Sequence, residues 1–448
     1  MVKQLLLSAA LSCALNTQTM AADNLVDILT LAMDNDPVFQ AAKAQKEATA
    51  ERYYQTRSAL LPQVSLTGSY TRTDGESQNE GQSAVDSETD DQSITIGLEQ
   101  LIYDHGTWIA LSQSEKTSRQ AAISLEADRQ SLIIRAASAY LDVLSAEDNV
   151  EFSKAETEAI GQQLEQTKQR YQVGLIARTD VHEAQADYDR ALSNQIIAQN
   201  NLDIAHEVLR EITGRYHSDI SSLTDRLELV SPQPANIDQW VKVAEENNIA
   251  YNAQKLGVEI AREEIKRRRS GHYPNASFSL GYNDRTRDVP TNELDGSTLQ
   301  TIEQKSNGVS AGIEFSWPLY RGGRTISETK EARHLFSQAT SELERTHREA
   351  QRSTRSSYLG VSAGISSVKA LQQSVVSNES ALEATQAGFE VGTRTIVDVL
   401  LSTRSLFQAK SELSRAKYDY ILNLLTLKQS AGILTKEDIV KINSWLEK

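Results

Sequence analysis

Two stretches of this chain repeat one another at a fixed distance. Tyr171-Gln-Val-Gly174-Leu-Ile-Ala-Arg-Thr-Asp180-Val181 recurs as Phe389-Glu-Val-Gly392-Thr-Arg-Thr-Ile-Val-Asp398-Val399, and each Val-Gly and each Asp-Val is displaced by 218 residues. Tyr140-Leu141 and Tyr358-Leu359 keep that displacement, as do Thr213-Gly214 and Ala431-Gly432. Toward the N-terminus it drifts to 217 for Tyr103 and Tyr320 and to 212 for Pro62 and Pro274, which implies a short insertion in the second copy between 282 and 320. Ordered matches over so long a stretch mark a duplicated structural unit. The first repeat is expected over 23–214 and the second over 237–432, joined by 215–236 and followed by a segment at 433–448.

Residues 1–22 read as a secretory signal: Lys3, then an apolar run from Leu5 to Leu15, then small residues before Ala22. That run is too short to span a bilayer. The only cysteine, Cys13, lies inside it, so the mature chain is expected to lack disulfides. Ala10-Leu-Ser-Cys13 resembles an acylation box only loosely. With 61 acidic against 46 basic residues the net charge is −15, which argues against nucleic acid as a partner and suits a surface that attracts cations. The seven histidines lack metal-ligand spacing. Arg321-Gly-Gly-Arg324 lacks the end of a phosphate loop, and no nucleophile constellation is visible. No enzyme activity and no cofactor are expected.

The hydrophobic period switches along each repeat. Residues 25–59 suggest a helix broken near Asp36-Pro37, and 237–271 a helix matching it. Strands of period two are expected at about 63–72, 92–102, 275–283 and 308–317. Val64, Leu66, Tyr70, Ile94, Ile96, Phe278, Leu280, Ile313 and Phe315 form one face, with Ser, Thr and Glu314 on the other. The segments 73–91 and 284–307 are expected to be polar loops. Proline-free helices follow at 105–172 and 324–389, each about 100 Å long at about 1.5 Å per residue. They reverse at Gly174 and Gly392 into helices at 179–213 and 395–430, and Asp180 with Glu183 suggests a capping box. Strands of this length, with one apolar face, suit a lipid bilayer. Tyr103, Tyr273, Trp317 and Tyr320 at their ends would form an aromatic girdle. Lipid forbids open sheet edges, so four strands force oligomerisation: two chains give eight strands, three give twelve and a lumen.

The strings Gly392-Thr-Arg-Thr-Ile-Val-Asp-Val-Leu400, Val173-Gly-Leu, Thr179-Asp-Val181, Leu209-Arg-Glu-Ile-Thr-Gly214 and Pro318-Leu-Tyr-Arg-Gly-Gly323 resemble those of the TolC family of outer-membrane channel-tunnels. The resemblance covers 23–446. It implies an α+β membrane protein of the Gram-negative outer membrane, a homotrimer with one twelve-stranded β-barrel and an α-helical periplasmic tunnel. It implies an exit duct for tripartite efflux or type I secretion. The partners would be a periplasmic adaptor (membrane fusion) protein and an inner-membrane transporter of RND, ABC or MFS type. The helix reversals would form the entrance, with Gly174 and Gly392 at adaptor-contacting tips. Asp398 would line an acidic, cation-selective constriction, with Glu183 as a possible contributor. Arg394 would latch to Thr179 and Asp180 of the neighbouring hairpin. Two residues depart from the family pattern: Leu401 replaces a second aspartate, and Phe389 replaces a tyrosine. The competing reading is a structural or adhesive trimeric coiled-coil envelope protein, which would need neither the matched aspartates nor amphipathic strands.

Overall fold

The computed structural model describes residues 22–77, 85–224, 227–291 and 300–446. The expected signal segment with Cys13 therefore lies outside the described residues, apart from Ala22. So do the centres of both strand-to-strand segments. The chain divides into two units. One is drawn from Met1–Ala42, Glu126–Ile249 and His347–Lys448, the other from Lys43–Leu125 and Ala250–Thr346.

The first unit is helical, and four of its helices extend into the second. α1 (Leu25–Asn35) buries Leu25, Ile28, Leu29 and Ala32, spaced three and four apart as one helical face requires. α2 (Pro37–Ser58) starts at a proline, which has no N–H to satisfy at that position. Asp36 caps it, accepting from Phe39 N at 2.7 Å and from Arg135 at 2.8 and 3.0 Å. Burial alone would raise the Asp36 carboxyl, but Arg135 and the two backbone N–H groups hold it below the usual range. The second repeat contains the same break. α5 (Ile237–Asn247) and α6 (Ile249–Arg269) part at Asn248, where the sequence reads as one helix over 237–271. No proline flags this break: Asn248 closes α5 through its own N–H to Ala244 O at 2.8 Å.

α3 (His105–Gln172) and α7 (Arg324–Glu390) are continuous, and α4 (Arg178–Thr213) and α8 (Ile396–Ser430) return from them. Leu132, Ile133, Ala136, Tyr140 and Leu144 of α3 are buried, as are Tyr420, Ile421, Leu425 and Leu427 of α8 and Ile439 and Ile442 of α9 (Lys436–Asn443). Tyr140 donates its hydroxyl to Ser221 O at 2.5 Å, tying α3 to the connecting segment.

Beside this core, burial and then the charges of Asp148 and Asp219 push the Glu147 carboxyl up to about 7. Its ordinary value is 4.5. The folded chain therefore holds a proton that the unfolded chain releases between those values, and stability falls as pH rises through that window. A Glu147→Gln variant is expected to melt higher than wild type at about pH 8 and nearly level with it at about pH 4. The same difference at both pH values would refute this.

The second unit contains most of α2 and α6 and the first parts of α3 and α7. It holds one antiparallel sheet in the order β1-β2-β3-β4. The strands are β1 (Gln63–Ser77), β2 (Val85–Asp104), β3 (Asn275–Thr291) and β4 (Gln300–Ser316). Pairing of β2 with β3 joins the hairpins of the two repeats. The register lines up rows of one kind. Leu66, Ile96, Tyr282 and Val309 form one row across the sheet, and Val64, Leu98, Leu280 and Ala311 the next. On the opposite face Ser65, Gly97, Gly281 and Ser310 align, as do Thr67, Thr95, Asn283 and Gly308. Among the described residues none covers the apolar face: Leu66 is 72 % exposed and Ile313 73 %.

The strands run further than hydropathy alone suggests, and the acidic stretch expected as a loop is partly strand. Glu88, Asp90 and Asp91 lie on β2 and meet Arg72, Tyr70 and Arg285 across the ladder. Alternation stops where both faces become polar, but backbone pairing continues because these cross-strand contacts support it.

The insertion also sits later than most of its expected interval. Both strand pairs are displaced by 212 at either end, from Gln63 to Asn275 and from Asp104 to Ser316. β2 runs directly into α3, whereas residues 317–323 intervene between β4 and α7. The extra length is this connector.

Candidate functional site: the two helix reversals

The reversals at 173–177 and 391–395 are built alike. Gly174 has φ 76° and Gly392 φ 77°, the left-handed region that favours glycine. In the first, Leu175 N reaches back to Arg170 O at 2.9 Å and Gly174 N to Tyr171 O at 2.9 Å. In the second, Thr393 N reaches Gly388 O at 2.9 Å and Gly392 N reaches Phe389 O at 3.2 Å. These paired bonds are the Schellman closure, and they satisfy carbonyls that a helix end leaves open.

Each returning helix then holds an aspartate in its first turn. Asp398 accepts from Thr395 N at 2.9 Å and Thr395 Oγ1 at 3.0 Å, while Thr395 Oγ1 faces Asp398 N at 3.3 Å. That is a complete capping box. The bonds from Thr395, assisted by the Arg394 charge, hold the Asp398 carboxyl below the usual carboxylate range. Asp180 bonds back to Ala177 N at 3.2 Å, but Ala177 has no side-chain oxygen to return the contact. The box suggested for Asp180 with Glu183 is thus not formed: α4 starts at Arg178, so Asp180 occupies the third helical position and Glu183 is exposed one turn later.

The two hairpins share an apolar cluster of Ile160, Leu164, Ala184, Ala191, Phe389, Ile396, Val399 and Leu400. Phe389 is buried there with the Arg170 guanidinium 4.4 Å from its ring centre. Among the described residues, no hydrogen bond or ion pair joins Arg394 to Thr179 or Asp180 within one chain.

A family model described as outer membrane efflux protein matches residues 28–215 and again 240–433, one match per repeat. The chain belongs to the outer membrane efflux protein family. It is 39 % identical to the outer membrane protein TolC of Vibrio cholerae, over 99 % of this chain and 98 % of that protein. It is 29 % identical to the alkaline protease secretion protein AprF of Pseudomonas aeruginosa, over 93 % and 85 %. The fold matches the crystal structure of the Campylobacter jejuni CmeC outer membrane channel with a TM-score of 0.76 at 16 % identity, over 95 % of this chain and 90 % of that one. The protein is thus an outer-membrane exit duct. Among the described residues no helix is long and apolar enough to cross a membrane.

Within this efflux-family hairpin pair, two features are silent in the sequence. Arg404 of α8 pairs with Asp187 of α4 at 2.7 Å, three turns or less from both reversals. A Cβ on Gly388 would come within 2.8 Å of Arg394 Cγ, so the missing side chain makes room for Arg394 to fold over the end of α7. The fixed displacement points to Gly388 only indirectly, because its counterpart in the first copy is Arg170. Leu401 is half exposed on α8, an apolar residue one turn beyond Asp398.

Proposed function

We propose that three copies close one twelve-stranded barrel in the outer membrane and assemble their helices into a periplasmic tunnel whose entrance is the two helix reversals. The observation that carries this reading is the sheet. Its apolar face is bare, its other face is small and polar, and β1 and β4 are its unpaired edges. Lipid does not tolerate open edges, so β1 of one copy must meet β4 of the next. Two copies would give eight strands and an interior filled by side chains, and three give a lumen.

At the entrance, three Asp398 carboxylates would form an acidic constriction, with Glu183 nearby. Arg394, which makes no ion pair among the described residues, would reach Thr179 and Asp180 of a neighbouring copy as a closed-state latch. Gly174 and Gly392 would present the tips to a periplasmic adaptor, which hands on cargo from an inner-membrane transporter. Tyr103, Tyr273, Trp317 and Tyr320, all at the helix-joined end of the sheet, would form the aromatic girdle.

Purified protein in planar bilayers should show small, cation-selective conductance, and Arg394→Ser should raise it severalfold by releasing the latch. Silence of both proteins under every condition would sink the conduit. Unchanged conductance in the variant would sink the latch alone.

A further inference from the structure

The polar face of the sheet carries its charges only toward its two ends, and the two ends differ in sign. Side chains alternate along a strand, so the register assigns each residue to a face. Cross-strand bonds agree with that assignment: Ser69 meets Ser93 at 2.8 Å, and Thr95 donates to Asn283 at 2.9 Å. Toward the helix-joined end the charged groups are carboxylates. Glu99 lies between Gln63 and Ser279, and Glu314 pairs with Ser277 one row further. Asp104, beyond the irregularity at Leu101 and Tyr103, is turned to the start of α3, where it accepts from Gly106 N at 2.8 Å and Thr107 Oγ1 at 2.9 Å. The rows of Ser65 and Thr67 that follow are uncharged across all four strands. Beyond them Arg285 shares a row with Ser69, Ser93 and Ser306, and Arg287 the next with Thr71, Asp91 and Gln304. Arg285 Nε donates to Asp91 Oδ1 at 2.8 Å. Arg287 is exposed and makes no ion pair among the described residues.

Among the described residues this face therefore holds two carboxylates near the helices and, at the far end, two guanidinium groups against one carboxylate. The rows of Glu99 and Ser93 are about 20 Å apart at about 3.3 Å per residue. At about 0.1 M salt the Debye length is about 10 Å, so neither end cancels the other. The outward face at the far end is acidic on balance: Asp74, Glu88, Asp90, Asp284, Asp288 and Glu303 outnumber Arg72 and Lys305. Arg72 pairs with Glu88, and Lys305 with Glu303 at 2.8 Å. Those groups have their own solvent and counterions on the other side of the wall. Were they to set the potential of the bore, it would be negative at both ends.

We propose that the bore of the barrel is charge-separated along its length, with Glu99 and Glu314 forming a cation-attracting belt at the helix-joined end and Arg285 and Arg287 an anion-attracting belt at the outer end. The inference rests on the trimeric barrel, in which each belt is repeated three times around one wall. Rings of carboxylates favour cations, and rings of arginine favour anions. The outer belt thus opposes small cations returning from outside, in series with an entrance that favours them. The solute that meets attraction at both belts is one bearing charges of both signs.

The test reads the local potential with single thiols. Cys13, the only cysteine, lies in the expected signal segment, so an added thiol reports the place where it stands. Ser279→Cys, Thr95→Cys and Ser306→Cys sample the inner, middle and outer rows of the assembled full-length protein. Each is modified with an anionic and a cationic methanethiosulfonate of similar size, and the ratio of the two rates is taken. The anion-to-cation ratio is expected to rise from Ser279→Cys through Thr95→Cys to Ser306→Cys, by about tenfold or more end to end at about 0.1 M salt. It should flatten at about 1 M, where the Debye length is about 3 Å. Arg287→Gln should lower the ratio at Ser306→Cys by about threefold and leave that at Ser279→Cys as it was. A ratio that falls toward the outer end, a gradient unchanged at about 1 M, or a Ser306→Cys ratio indifferent to Arg287→Gln would each overturn the proposal. Thiols that react with equal ratios at all three rows would overturn the charge separation and leave the conduit standing. Thiols closed to both reagents would remove the barrel itself, and this inference with it. The three single-thiol proteins decide even where the Arg287→Gln variant fails to assemble.

Discussion

Asp398→Asn should abolish tight block of the conductance by multivalent cations and weaken cation selectivity. The substitution is informative because of the hydrogen bonds described for this residue. The Asp398 carboxylate accepts from Thr395 N and Thr395 Oγ1, and an asparagine oxygen can accept the same bonds. The helix start is therefore kept while the charge is removed. In the proposed trimer three charges go at once. A unit pair at about 4 Å is worth about 1 kcal/mol even in bulk water, and about 1.4 kcal/mol is a factor of ten in affinity. Three carboxylates around a trivalent ion therefore support a loss of about two orders of magnitude or more in blocking affinity. Titration of single-channel current with a hexammine complex would measure it. Unchanged block would show that Asp398 only caps its helix. If block persists in part, adding Glu183→Gln tests the exposed carboxylate of the first hairpin.

Gly432→Ala should be far more damaging than Gly214→Ala, although the two glycines occupy the same place in the repeat. Gly214 has φ 78° and Gly432 φ 74°, and both close a long returning helix. A Cβ at Gly214 would touch only the Asn35 side chain, at 3.4 Å from Cβ and 3.7 Å from Cγ. At Gly432 it would sit 2.2 Å from Asn247 O, 2.5 Å from Asn247 C and 2.9 Å from Asn248 Cα. Those are backbone atoms at the break between α5 and α6, and they cannot rotate away. Left-handed strain alone costs about 1 kcal/mol, so Gly214→Ala should be tolerated. The clash adds several more, and Gly432→Ala should lose on the order of 4 kcal/mol. Thermal unfolding of the two variants side by side measures the contrast, and equal midpoints would refute it.

Much of this architecture was legible because the signals are periodic. The long helices were readable to within one or two residues, since proline is absent from them and glycine marks each reversal. Strand centres were visible wherever one face is apolar. The outer portions of β1 and β2 were hidden because Arg72 with Glu88 and Asp91 with Arg285 support pairing without any hydrophobic alternation. The break at Asn248 was hidden because asparagine, unlike Pro37, does not forbid a helix.

At the reversals, Asp180 and Asp398 were found through the duplication. Their different caps were not, because capping depends on the residue three before, Ala177 in one copy and Thr395 in the other. The pair of Arg404 with Asp187 joins two helices from different repeats and leaves no trace in local spacing.

The position of the main length difference between the repeats has a consequence for how such a chain can change. A residue gained within a β-ladder would turn every later side chain to the opposite face. In a barrel shared among copies, that fault would be imposed on every seam. Among the described residues the seven-residue connector at 317–323 joins no strand ladder, so added length there leaves the register of β4 as it is. Tolerance of added length is therefore concentrated at the hinge between strand and helix, and Gly322-Gly323 is where a reporter loop can be grafted while the girdle and the wall of the pore stay as they are.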